Sequence, residues 1–298
     1  MWRKKERQPD RPAADYGPWQ TAFTADALRR AWVTVKANKG RSGSDGETWS
    51  QFERHLELNL RQLRSELLAG EYQPQRVTQV LVPKPSGGWR PITLWAIRDR
   101  VAQRAVYNYL EPVFEPRFLD CSYGFRPGRS THDAAQAVQM ARQAGAQWVL
   151  DADIKDCFGS MQDRLVLKRL QRWQVPQPIV TLMQRWLRAE VWNAWGSGAR
   201  QAGTSQGGVI SPLLCNLYLH PFDQALQKSG IWLVRYADDF VCLSRDERRI
   251  RQALKLADQT LQQLGLQIHP QKTRLTTFDE GFQFVGWFFV RNELFQLK

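Results

Sequence analysis

Apolar positions recur at helical spacing over residues 24–37, where Ala27, Leu28, Ala31, Trp32 and Val35 share a stripe with Phe23 just before it. The same period returns over 51–69 on Leu56, Leu60, Leu63, Leu67 and Leu68. Further helices are expected over roughly 96–111, 131–144, 161–172, 177–189, 212–228 and 246–264. The run RVTQVLVPKPSGGWRPITL, residues 76–94, reads as a strand, a turn at Pro85-Ser86-Gly87-Gly88, and a returning strand. QWVLDADI, 147–154, is a short apolar strand interrupted by acids, and strands are expected at 232–236, 240–244, 272–276 and 282–290. This is a mixed α/β pattern with antiparallel hairpins and without the regular βαβ alternation of a doubly wound sheet. Residues 1–22, with Pro9, Pro12, Gly17 and Pro18, read as a basic N-terminal arm. Residues 23–145 form an N-terminal half, and a second half runs over 146–298.

Composition narrows the class. Of 298 residues, 43% are hydrophobic and 24% charged, as in an ordinary globular protein. No apolar run reaches the length of a membrane span, and the opening MWRKKERQPD leads into no apolar segment, so neither a membrane protein nor a secretory signal is expected. Lys and Arg number 42 against 29 Asp and Glu, and a formal charge of +13 points to a polyanionic partner. Cys121, Cys157, Cys215 and Cys242 form no CxxC pair and are expected to be buried thiols in a reducing compartment. His55, His132, His220 and His269 are too scattered for a histidine metal site.

The candidate chemistry lies in three carboxylates set in two apolar frames. Asp153 ends the strand Trp148-Val149-Leu150-Asp151-Ala152, with Asp151 on the same face. Asp238 and Asp239 interrupt IWLVRYADDFVCLS, residues 231–244. Adjacent acids are costly to bury in such a run. A hairpin with Tyr236 ending one strand and Phe240 in the next places both acids at a turn, where a divalent cation would offset their charge. Carboxylates alone suit Mg²⁺, and two such ions fit nucleotidyl transfer, in which a primer 3′-hydroxyl is activated and the leaving oxygens of a triphosphate are stabilised. Lys84 and Arg90 flank the turn of the 76–94 hairpin, where long cations could clamp a triphosphate. The glycine-rich NKGRSGSDG, 38–46, could approach a phosphate or be a plain connector.

The segments NKGRSGSDG, VPKPSGGWRPI (82–92), SYGFRPGRST (122–131), DADIKDCF (151–158), GTSQGGVISPLLCNLYL (203–219), YADDF (236–240), GLQIHPQKT (265–273) and FQFVGWFF (282–289) stand in one order over nearly the whole chain. In that order they resemble a bacterial group II intron-type reverse transcriptase. The resemblance implies right-hand polymerase fingers and an antiparallel palm, with fingers elements interleaved near 160–210, and a cytoplasmic bacterial enzyme. It implies RNA-directed DNA polymerase activity on an RNA template and a DNA or RNA primer, using deoxynucleoside triphosphates and two Mg²⁺ ions, with Mn²⁺ able to substitute. Asp153, Asp238 and Asp239 fall on the family's catalytic, metal-holding aspartates. Lys84 and Arg90 fall on its triphosphate contacts, Phe158 on the aromatic beneath the deoxyribose, Gln206 near the templating base, and Lys272 on a cation beside the leaving pyrophosphate. Tyr123, Arg126 and Arg129 fall in a segment where arginines could hold template backbone, though Arg126 could instead pair internally with an acid. Phe158 and Lys272 also admit plainer readings, as a core aromatic and a solvated surface cation.

Full-length intron-encoded relatives continue into a helical thumb, which this sequence lacks after Lys298. The sequence is a piece, or the natural protein has no thumb, or a protein or RNA partner supplies one. Tested alone, the chain is expected to be weakly processive. Some relatives act beside CRISPR adaptation proteins or in antiviral defence, and the residues do not choose among these roles. Two other activities compete. An RNA-dependent RNA polymerase shares the palm, but Phe158 would exclude its ribonucleotides. A catalytically silent RNA-binding paralogue would not need three clustered acids.

Overall fold

Trp19–Phe23, expected mostly as part of an N-terminal arm, form a 3-10 helix that ends at Thr24, and Thr24 starts the first α-helix, its hydroxyl accepting from the Ala27 amide at 3.2 Å. The structure is a computed structural model, describing residues 15–38, 40–43, 45–83, 87–193, 196–197 and 207–297. Helix α1 (Ala25–Ala37) is followed by α2 (Trp49–Arg54), opened by a Thr48–Gln51 capping box, and by α3 (Leu56–Ala69), closed by left-handed Gly70. The single helix expected over 51–69 is therefore two. His55 leaves helical dihedrals (φ −116°, ψ 26°), so that Phe52 stacks on Trp32 with ring centroids 5.0 Å apart while Leu60, Leu63 and Leu67 face the core.

Strands β1 (Val77–Pro83) and β2 (Trp89–Leu94) form the expected antiparallel hairpin, with Val82 opposite Arg90. Helix α4 (Ile97–Phe114) carries apolar side chains on most faces and is buried along much of its length. Helix α5 (Thr131–Gln143) begins at a Ser130–Asp133 capping box and leads to β3 (Trp148–Asp153). A short α6 (Cys157–Ser160) precedes α7 (Asp163–Arg172) and α8 (Gln177–Leu187). Strands β4 (Val191–Asn193) and β5 (Gly196–Ser197), too short to show a period in sequence, extend the first sheet to the order β2-β1-β4-β5. Helix α9 (Ser211–Lys228) then leads to β6 (Trp232–Tyr236) and β7 (Asp239–Ser244), followed by α10 (Glu247–Gln263) and β8 (Arg274–Thr277).

The second sheet has the order β6-β7-β3-β8, antiparallel throughout. Alternation along its strands builds two cores. Leu150, Ala152, Leu233, Phe240 and Cys242 join the larger cluster with α9 and α10, whereas Val149, Val234, Val241 and Leu243 pack on the alanines of α5. The larger cluster runs from Ala22 to Leu266 and so crosses residues 145–146 without a break.

The last expected strand, 282–290, is corrected to a sheet of three: β9 (Phe282–Phe284), β10 (Trp287–Val290) and β11 (Glu293–Gln296). Val285 and Gly286 both take positive φ and turn the chain back, a two-residue hairpin that the lone glycine in an apolar run could have signalled. All four cysteines are free and buried, as expected. No helix among the described residues is long and apolar enough to cross a membrane.

Candidate active site

The register of the second sheet assembles the acids. Asp153, last in β3, is the Cα partner of Asp239, first in β7. The β6–β7 hairpin turns through Ala237 and Asp238, with Tyr236 opposite Asp239 and Ala237 in the left-handed region at φ 59°. The Ile154 amide donates to the Asp238 carbonyl at 3.1 Å and so ties the turn to the end of β3. Asp153 and Asp239 share the sheet face of Val149 and Val241, while Ala152 and Phe240 face the α9 side. The two apolar frames thus deliver three carboxylates to one end of one sheet.

Their electrostatics follow from that crowding. The Asp239 carboxyl is pushed up to about 8, by desolvation first and then by a side-chain hydrogen bond with Asp153 and the charges of Asp153 and Asp238. Asp238 is also raised, chiefly by burial and then by Asp153, with Lys272 and Arg90 pulling the other way. The Lys272 ammonium donates to Asp153 Oδ2 at 2.9 Å, and this bond raises its own proton affinity. The backbone feeds the same corner: the His269 amide donates to the Asp153 carbonyl at 2.8 Å and the Lys272 amide to His269 O at 3.2 Å. Asp151, on the same face one pleat back, pairs with Arg274 at 3.0 Å.

Among the described residues, no three His, Cys, Asp or Glu side chains converge closely enough to hold a metal ion as they stand, and the Asp153 carboxylate faces Lys272 instead. The chemistry of the donor set nevertheless fits a hard divalent cation. It is oxygen-only, and the proton affinities of Asp238 and Asp239, raised by burial first and by neighbouring acids second, are what a cation at this corner would offset.

The other expected residues separate into groups. Arg90 is exposed on β2, close enough for its charge to act on Asp238. Phe158, half-buried in α6, lies against the core and meets the Phe125 ring edge-on at 6.2 Å. Lys84 and Gln206 lie outside the described residues. Beside the latter, Gly207 (φ 119°) runs so close to β2 that a β carbon there would sit 2.5 Å from the Thr93 carbonyl oxygen. Gly43 of the glycine-rich segment lies equally close to the Ala96 backbone, which makes it a packing contact.

Arg126 takes its internal alternative. Its guanidinium is 3% exposed, donates to both Glu115 oxygens and, through Nη1, to the Leu119 and Ser122 carbonyls at 2.6 and 2.8 Å. It is a strut and offers no face to a template phosphate. Arg129 is partly committed, to Asp120 Oδ1 at 2.8 Å and over the Tyr123 ring at 5.3 Å, while Tyr123 is anchored through its amide to the Arg235 carbonyl at 2.8 Å.

Sequence reasoning missed the polar cluster beneath the turn: Arg235, Asp223, Asn216 and Ser122, all buried. A signal existed. Asn216 and Asp223 fall seven apart on one stripe of α9, next to Leu219 and Leu226, and Arg235 takes an inward position of an apolar strand.

The comparisons with known proteins agree with this geometry. The family described as reverse transcriptase (RNA-dependent DNA polymerase) matches residues 82–289. Protein YkfC of Escherichia coli (strain K12) is 31% identical over 312 residues, covering 91% of this chain and 81% of that protein. The group II intron-encoded protein LtrA of Lactococcus lactis subsp. cremoris is 32% identical over 197 residues, 65% of this chain but 32% of LtrA, so the chain spans only about a third of that relative. In fold, the chain is similar to apo telomerase from Candida tropicalis truncated from its C-terminal domain (TM-score 0.60, 13% identity, 80% of this chain and 60% of that one). Telomerase from Candida albicans gives a TM-score of 0.59 at 16% identity, over 77% of this chain and 48% of that one. With its acids gathered at the end of an antiparallel sheet and the family match spanning that whole sheet, the chain belongs to the reverse transcriptase (RNA-dependent DNA polymerase) family.

Proposed function

We propose that the chain extends a primer 3′-hydroxyl on an RNA template with deoxynucleotides, the β1–β2 sheet acting as fingers and the β6-β7-β3-β8 sheet as palm. The observation that carries this reading is the Asp153–Asp239 register pair with Asp238 in the adjoining turn. Asp153, Asp238 and Asp239 would hold Mg²⁺, which when bound lowers the pKa of the hydroxyl and stabilises the leaving oxygens. The hydroxyl oxygen attacks the α-phosphorus as the bond to pyrophosphate breaks. Lys272, on Asp153 at 2.9 Å, is placed to donate a proton or a hydrogen bond to the departing pyrophosphate. Arg90, with Lys84 near it in sequence, would grip the triphosphate, and Gln206 would line the nucleotide site beside the templating base. Phe158 would occupy the space of a 2′-hydroxyl. Tyr123 and Arg129 remain candidates for template contact, and Arg126 would support their segment from below.

The test is primer extension on poly(rA)/oligo(dT) with Mg²⁺, comparing deoxy- with ribonucleotides, with Asp238→Ala as the control. Template-dependent deoxynucleotide addition that this variant lacks is expected. Equal use of ribonucleotides would make the chain an RNA polymerase, and extension undiminished in Asp238→Ala would remove the site assignment.

A further inference from the structure

Among the described residues, Arg235 is the largest side chain with no exposed surface, and it stands two residues before the left-handed Ala237. Its guanidinium is spent entirely inside. Nε and Nη2 each donate to an oxygen of Asp223 at 2.6 Å, and Asp223 is likewise 0% exposed. Nη1 donates to the Ala237 carbonyl at 2.8 Å and to Asn216 Oδ1 at 3.2 Å, and Nη2 also reaches Ser122 Oγ at 2.8 Å. Asn216 Nδ2 donates to the Gly124 carbonyl at 2.9 Å. Gly124 lies flat on the turn, where a β carbon would come 2.3 Å from the Ala237 nitrogen.

A buried ion pair of this kind adds little net stability over a well-packed apolar group, because desolvation consumes most of the attraction. What this one holds is specific. Ala237 takes a left-handed backbone conformation, which is strained for any residue that carries a β carbon. Its carbonyl is fixed by Arg235, and the next carbonyl, of Asp238, accepts from Ile154 beside Asp153.

We infer that Arg235, braced by Asp223, Asn216 and Ser122, is a positioning residue for nucleotidyl transfer: it clamps the left-handed Ala237 turn and thereby sets Asp238 and Asp239 against Asp153. This role rests on the polymerase reading above. Arg235 touches no reacting group and acts through the turn. Asn216 and Asp223 both belong to α9, whose first turn adjoins the 207–210 loop, so the helix that frames the nucleotide loop also frames the catalytic turn.

The test compares Arg235→Lys, which keeps the charge but loses the fork, with the unaltered chain, in the Arg235→Lys/Ala237→Gly double variant as well. Displacing a catalytic group by about 1 Å can cost on the order of 100-fold in rate. A fall in kcat of about 10- to 100-fold is expected, with the KM for deoxynucleotide and the affinity for RNA changed less than about threefold, because neither contact is touched. Glycine accepts the left-handed turn without strain. It should therefore restore at least about threefold of the lost kcat, and no recovery would place the effect outside the turn. Hydrogen exchange by mass spectrometry supplies a readout free of activity: peptides covering Ile154 and residues 236–240 should exchange faster in Arg235→Lys. Unchanged exchange and kcat in a folded Arg235→Lys would overturn the inference. If that variant does not fold, Ser122→Ala removes only the hydroxyl that accepts from Arg235 Nη2 and donates to Asn216 Oδ1; faster exchange at the same peptides supports the clamp, and exchange identical to the unaltered chain overturns it. A chain inactive in every form would defeat the polymerase reading, while the exchange measurement would still judge the clamp.

Discussion

Neutralising Asp239 should change how the stability of the metal-free protein depends on pH. Its carboxyl moves from 3.8 unfolded to about 8 folded, by burial first and then by Asp153 and Asp238. Because the folded value is the higher, the folded state binds more protons than the unfolded state between about pH 4 and 8. Stability then falls as pH rises through that window and levels off above it. Taken whole, the shift from 3.8 to about 8 would amount to about 6 kcal/mol at 1.36 kcal/mol per unit. Asp239 is exposed at the end of the sheet, however, so solvent screens its interactions and most of that figure is lost. A net loss of about 1 kcal/mol between pH 6.5 and 8.5 is the expected size. Asp99, raised to about 6 by burial, has largely titrated below that range, and His220, lowered from 6.5 to about 4 by burial, adds a small rise in stability near pH 6.5 that the unaltered chain and an Asp239 variant share. Urea unfolding in EDTA at both pH values, on the unaltered chain and on Asp239→Asn, measures it. The unaltered chain should lose that stability and the variant should not. Parallel profiles would refute the idea that the acids repel one another when no cation is bound.

Asp238→Ala should abolish primer extension while leaving RNA affinity in a filter-binding assay within about twofold, since a half-buried carboxylate makes no favourable contact with phosphate. Phe158→Val should raise ribonucleotide use relative to deoxynucleotide by at least about tenfold, as a lost steric contact of about 1–3 kcal/mol implies; unchanged selectivity in competition assays would leave Phe158 a core residue packed on Phe125. Asp223→Ala strands the Arg235 charge in the interior and should cost about 3–5 kcal/mol in urea unfolding; a loss under 1 kcal/mol would mean that water reaches the guanidinium. RNA affinity should fall steeply with salt, log Kd tracking log salt with a slope of several phosphates, and a flat dependence would separate the +13 charge from binding.

Local pattern sufficed for much of this protein. Helical and strand periods placed α1, α4, α5, α9, α10 and the β6–β7 hairpin, because each segment's own alternation states which face is buried. The acids at 153, 238 and 239 were legible for a related reason: charge in an apolar frame demands a compensating partner, which narrows the chemistry. Segment phase was less legible. The break at His55 and the turn at Val285-Gly286 arise where one apolar run must serve two directions in space. What only the tertiary structure decided is the long-range polar wiring. Arg126 could have gone to a template or to Glu115, and the fold sends it to Glu115 because the FRPG path folds back on the end of α4. Arg235 and Ser122 lie 113 residues apart, and Ser122 and Asn216 lie 94 apart. No periodicity links such positions. Burial makes each of these groups costly until it finds its partner, and only the packing of α9 beneath the second sheet brings the partners within hydrogen-bonding reach.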